Sequence, residues 1–75
     1  PDQVALANLH SAAARVAIAR GDGAAAADAA ERALAIYASA ESVDPAYPER
    51  ARVALAQARV LLGIAGTPAA TAPDR

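Results

Sequence analysis

An all-α fold is what this sequence predicts, and three observations carry that expectation. Alanine supplies about a third of the 75 residues, while Phe, Trp, Met and Cys are absent. Alanine is the best helix former because its side chain loses no rotamer freedom in the helix. Apolar residues recur at spacings of three and four in three separate stretches, the period of a helix face. Between those stretches stand helix-ending signals, Gly21-Asp22-Gly23 and then Asp44-Pro45 with Pro48 three residues on. No stretch shows the alternation of a strand.

The first helix is expected over residues 3–20, with Asp2 as a candidate N-cap. Leu6, Leu9, Ala13, Val16 and Ala17 form its apolar stripe. Gly21 supplies the left-handed geometry that ends a helix, and Asp22 is placed to cap the next one. The second helix is expected over residues 24–43, burying Ala26, Ala27, Ala30, Ala33, Leu34 and Tyr37. Asp28 and Arg32 stand in the favourable order for an i,i+4 ion pair. Proline disfavours α geometry in the residue before it, so Asp44 and Tyr47 are expected in a loop. Pro48 then suits the first helical position, where its missing N–H costs nothing, and Glu49 favours the helix dipole.

The third helix is expected over residues 48–65. Ala51, Ala54, Leu55, Ala58, Leu61, Leu62 and Ala65 line one face, with Arg52 and Arg59 mostly off it. Gly63 or Gly66 should end it, and Thr67-Pro68 opposes continuation. The sequence therefore divides into a helical segment, 1–66, and a flexible C-terminal tail, 67–75.

Bulk properties narrow the function classes. A chain of 75 residues is one small domain near the lower limit for a self-sufficient core, and it has no cysteine for a disulfide or thiolate metal site. A formal charge of −1 argues against general attraction to nucleic acid or anionic lipid. No apolar run is long and uncharged enough to span a membrane, and Asp2 stands where a secretory signal would be basic. A cytoplasmic location is the expectation, and starting at Pro1 without methionine suggests a piece of something longer. All basic residues are arginine, which with the Ala, Gly and Pro excess hints at a GC-rich bacterial coding sequence.

An internal repeat is visible at a shift of forty-four residues, which lays AAARVAI over AQARVLL. Arg15 meets Arg59, Val16 meets Val60, Ala7 meets Ala51 and Ala14 meets Ala58. A helix-pair unit recurring at 20–50 residues marks a helical solenoid. The stretch RGDGAAAADAAERALAIY resembles the turn and second helix of the tetratricopeptide repeat (TPR). Gly21-Asp22 stands at the inter-helix turn, Ala14 at the small position of helix A, and Ala26 and Ala33 at those of helix B, with Leu34 following. Near His10, Ala17 and Ala30 the family places aromatics and this chain has none. VDPAYPERARVALAQARVLLG is similar to the longer kinesin-light-chain type of repeat, with a proline-bearing loop before the next helix A. The resemblance implies an antiparallel, right-handed solenoid fragment of about one and a half repeats, its third helix acting as a cap. Such a fragment is expected to end a longer array, dock onto the rest of its parent chain, or gain stability as a homo-oligomer.

No residues assemble into a recognised catalytic or metal site. His10 is the only histidine and lacks co-ligands, there is no phosphate loop or nucleophile motif, and no strand precedes Gly21-Asp22-Gly23. No cofactor and no enzymatic activity are expected. What the resemblance implies instead is a protein-interaction scaffold, with helix A residues lining a concave groove for a peptide or partner helix. By position these are Asn8, Ser11, Arg15 and Ile18, with Arg52 and Arg59 beside them. The arginines could grip acidic groups, or be ordinary solvated helix charges. Tyr37 is expected in the core between the second and third helices. Tyr47 either folds over the helix ends or is an exposed contact. Structural capping within a larger regulatory or signalling protein is the alternative role.

Overall fold

The computed structural model describes residues 3–71, and the side chains of residues 3–63. Three helices account for nearly all of it: α1 (Gln3–Ala19), α2 (Gly23–Ser39) and α3 (Ala46–Thr71). The result is an all-α three-helix bundle, consistent with a fragment of a helical repeat.

The first connection follows the sequence closely. Gly21 takes φ +76°, a left-handed geometry that glycine adopts without steric cost. Gly21 N donates to Ile18 O at 2.9 Å and Asp22 N to Ala17 O at 2.8 Å, the paired bonds of a Schellman ending. Asp22 then serves the next helix: its carboxylate accepts from Ala25 N at 3.0 Å, and its carbonyl accepts from Ala26 N. One residue thus closes α1 and caps α2.

The second connection departs from expectation. α2 stops at Ser39, four residues short of Val43, so the prolines are not what ends it. Ala40 is already extended at φ −80°, ψ 145°, its N–H donating to Tyr37 O, while Ser39 Oγ donates to Ile36 O. The early exit lets Val43 fold back against the cluster around Tyr37 and Ala51, a tertiary gain that overrides local propensity. α3 in turn starts two residues before Pro48. Asp44 Oδ1 accepts from Ala46 N at 2.9 Å, and the first full helical bond runs from Glu49 N to Pro45 O. Pro48 therefore occupies the third helical position, where its N–H would still lack an intrahelical partner. At the far end the helix continues to Thr71, past both expected stops and into the expected tail. Gly63 does not take the left-handed conformation through which glycine ends a helix, and in a helix interior it costs only about 1 kcal/mol. Residues 72–75 of the expected tail lie outside the described residues.

The core is a ladder of three rungs. Ala17, Ala26 and Ala58 form one, Ala14, Ala30 and Ala54 the next, and Ala7, Ala33, Tyr37 and Ala51 the third. Along the rungs the α1 and α3 numbers fall together while those of α2 rise. α2 therefore runs antiparallel to both, and α1 runs parallel to α3. Ala14, Ala26, Ala33 and Tyr37 are buried and Leu34 is partly so, packed on the Tyr37 rung.

The large side chains of α1 do not share that core. Leu6, Leu9 and Val16 are 48%, 67% and 53% exposed, whereas Ala7, Ser11, Ala14 and Ala17 are buried. α1 carries two adjacent apolar stripes, and the one with the smaller residues faces inward. Methyl-sized side chains let helices approach to the short end of the roughly 8–10 Å range, where backbone and Cβ atoms make the dispersion contacts. On α3, Ala51, Ala54 and Ala58 are buried as expected, Leu55 and Leu61 are partly buried, and Leu62 is exposed. Ala65 lies outside the described side chains.

Candidate functional site

The rungs differ in the size of what fills them: two narrow rungs bury alanine alone, and the third, the wide rung, also buries Tyr37 and has a hollow beside it. Tyr37 is the only aromatic residue in the buried core among the described residues, and it packs there with Ala7, Ala33 and Ala51. Its hydroxyl donates to Asn8 Oδ1 on α1, while its ring stacks on Tyr47 of α3, centroids 6.3 Å apart at 28°. Tyr37 thus links all three helices rather than α2 and α3 alone. Tyr47 is half-buried against this rung, and Arg50 lies 6.0 Å from the centroid of its ring. Burial pushes the Tyr37 phenol above a tyrosine's ordinary pKa, helped by Tyr47 and opposed by the nearby Arg15 and Arg50 guanidinium groups.

A pocket of about 270 Å³ results, lined by Asn8, Ser11, Arg15, Tyr37, Tyr47 and Arg50. Each α1 member follows from the helix period: residues 8, 11 and 15 stack at three and four on the flank of the buried stripe. Ser11 is the one buried polar residue among the described residues, and its Oγ accepts from Arg15 Nη1 at 3.3 Å. A second, more apolar hollow of about 300 Å³ adjoins the first and shares Arg15 and Arg50 with it. Glu49, Val53, Ala54 and Gln57 complete its lining.

Of the residues proposed from sequence, Asn8, Ser11 and Arg15 come together here. Ile18 lies farther along α1, partly buried against the two narrower rungs. Arg52 and Arg59 do not line the pocket. At about 100° per residue, Arg52 projects roughly 200° around α3 from Arg50, and Arg59, seven residues on, returns to the side of Arg52. Arg52 pairs with Glu49 at 3.8 Å, both ends exposed, a contact of little energetic weight. The arginine that reaches the pocket from α3 is Arg50, which sequence reasoning missed. The missed signal is phase: Arg50 directly precedes the buried Ala51, and Arg50, Ala54 and Gln57 repeat at four and three along one flank.

His10 is half-buried on α1. Among the described residues there is no group of three or more His, Cys, Asp or Glu side chains that could hold a metal ion, and no helix is long and apolar enough to cross a membrane. Asp28 and Arg32 form the expected pair on α2, 2.9 Å apart and well exposed. No protein-family model matches this chain, and no curated protein or solved structure matches it either.

Proposed function

We propose that this chain is a non-catalytic protein-interaction scaffold of tetratricopeptide-repeat type, receiving a peptide or partner helix along the α1–α3 face. The observation that carries the reading is the convergence of Asn8, Ser11 and Arg15 from α1 with Arg50 from α3 on one open hollow. A second hollow lined by Val53 and Ala54 continues from it, which suits a ligand with polar and apolar side chains side by side. Two arginines and no carboxylate at the first hollow favour acidic groups in that ligand.

The forty-four-residue repeat lends support. Ala7 and Ala51 are both buried, as are Ala14 and Ala58, whereas Val16 and Val60 are both exposed. Arg59 is thus the counterpart of Arg15, and Arg52 that of Asn8. In a repeat array, equivalent side chains serve successive hollows, so Arg52 and Arg59 would line the next one along, beside a following helix. Right-handed stacking and a place in a longer, cytoplasmic chain belong to the same reading.

Panning a random peptide-display library against the chain tests it. Acidic sequences should be enriched, and Arg15→Glu should abolish that enrichment while far-UV circular dichroism stays unchanged. Equal enrichment by the Arg15→Glu variant would remove the α1–α3 face from consideration. The alternative, a capping or self-association segment, is favoured by the exposed Leu6, Leu9 and Val16 stripe on α1. It predicts a sedimenting dimer that Leu9→Glu converts to monomer.

A further inference from the structure

The internal hydrogen bonds of the Tyr37 pocket have a direction. Tyr37 donates its hydroxyl proton to Asn8 Oδ1, and Arg15 donates to Ser11 Oγ. Each bond occupies one lone pair of its acceptor oxygen. The lining is left rich in donors and holds no carboxylate: the Asn8 side-chain NH₂, the Ser11 O–H, the remaining Arg15 N–H groups and the guanidinium of Arg50. Arg50 has cation–π contact with Tyr47, and neither Arg15 nor Arg50 has an ion-pair partner among the described residues. The one carboxylate nearby, Glu49, lines the adjoining hollow and is paired with Arg52.

We infer that this pocket is a subsite for a phosphoryl group, a tetrahedral dianion held by Arg15 and Arg50 with Asn8 and Ser11 completing its shell. Two fixed positive charges match the double charge of a phosphate, and its oxygens are acceptors at a site whose charged side chains are both donors. A single carboxylate would leave one guanidinium uncompensated and offers two oxygens to a donor set drawn from both α1 and α3. At about 270 Å³ the pocket admits a compact anion with room for the ester linkage. The inference deepens the scaffold reading of this face, but it stands on the donor inventory alone.

Titration of the ¹⁵N-labelled full chain at constant ionic strength tests it, following the Asn8 side-chain amide and the arginine Nε resonances. Inorganic phosphate and methyl phosphate should produce saturable shifts at Asn8, Arg15 and Arg50, with Arg32 unmoved. Arg15→Gln and Arg50→Gln should each weaken the apparent affinity about tenfold or more, the worth of a charge-assisted hydrogen bond. Both arginines are exposed, and retained helicity by circular dichroism shows that the variants fold. Tighter binding of methyl phosphate assigns the subsite to a phosphorylated side chain, and tighter binding of inorganic phosphate to the free ion; either supports the inference. Acetate binding as well as phosphate, or shifts that rise linearly and equally in the variants, overturns it. Those outcomes would leave the peptide-library result untouched, so the two readings fail separately.

Discussion

The two ends of the helix ladder solve the same packing problem in opposite ways. At the turn end, Ala17, Ala26 and Ala58 meet and Gly23 tucks beneath α3. A Cβ added at Gly23 would lie 3.0 Å from Ala58 O, 3.0 Å from Leu61 Cβ and 3.1 Å from Leu62 Cγ. At the other end Tyr37 fills a gap that alanine could not, and a polar hollow opens beside it. The narrow end is limited by how little volume it accepts, the wide end by how much it needs. Close approach is made at one end, while the other carries the larger ring and the polar hollow beside it.

Substitutions at the two ends should therefore fail with opposite chemistry. The largest effect is expected from Tyr37→Ala, which empties the wide rung: about 3–5 kcal/mol of stability, by analogy with other buried aromatics. In a domain this small that is a large share of a total of roughly 5–15 kcal/mol, and a chemical denaturation curve would show it as a lowered midpoint. Ala26→Leu should lose about 1–3 kcal/mol for the opposite reason, overpacking at a residue with no exposed surface. Leucine tolerated at Ala26 but not alanine at Tyr37 would mean that the narrow rung is not close-packed. Gly23→Ala gains helix propensity of up to about 1 kcal/mol yet must displace backbone at Ala58, so a net loss of around 1 kcal/mol is expected. A thermal melt higher than that of the parent chain would contradict the contact.

The smallest expected effect is a pH dependence confined to the wide end. The Tyr37 pKa is raised on folding, so the unfolded chain ionises first and folding binds the proton more tightly. That contribution is fully present below about pH 10 and is lost as pH rises through the folded value. Tyr37→Phe should flatten the alkaline decline in stability, measured by denaturation at stepped pH, and Tyr47→Phe should leave more of it in place.

The same contrast explains what could be read from sequence. The turn end was legible almost to the residue, because Gly21 and Asp22 act locally: one supplies a backbone conformation, the other a capping carboxylate. The second connection was not. Its geometry is set by Val43 packing on the wide rung and by an Asp44 cap, so the prolines mark a helix start instead of a helix end. Small-residue burial at Ala14, Ala26 and Ala33 was legible, but the inward choice between two apolar stripes on α1 was not. Size-blind periodicity selects Leu6 and Leu9, whereas close helix approach selects Ala7 and Ala14. Three of the six lining residues, Asn8, Ser11 and Arg15, were named by position from the family resemblance. The α3 arginine was not, because a difference of two residues in helix phase decides whether Arg50 or Arg52 lines the hollow.

The measurement closest to the heart of this account is a set of methyl and ring nuclear Overhauser contacts in the isotopically labelled chain. Close packing at the narrow rung predicts strong contacts from the Ala26 methyl to those of both Ala17 and Ala58, and from the Tyr37 ring to Asn8 and Tyr47. A spectrum in which Ala26 shows no contact to α1 or α3, or in which Leu9 and Val16 replace Ala7 and Ala14 against α2, would contradict it.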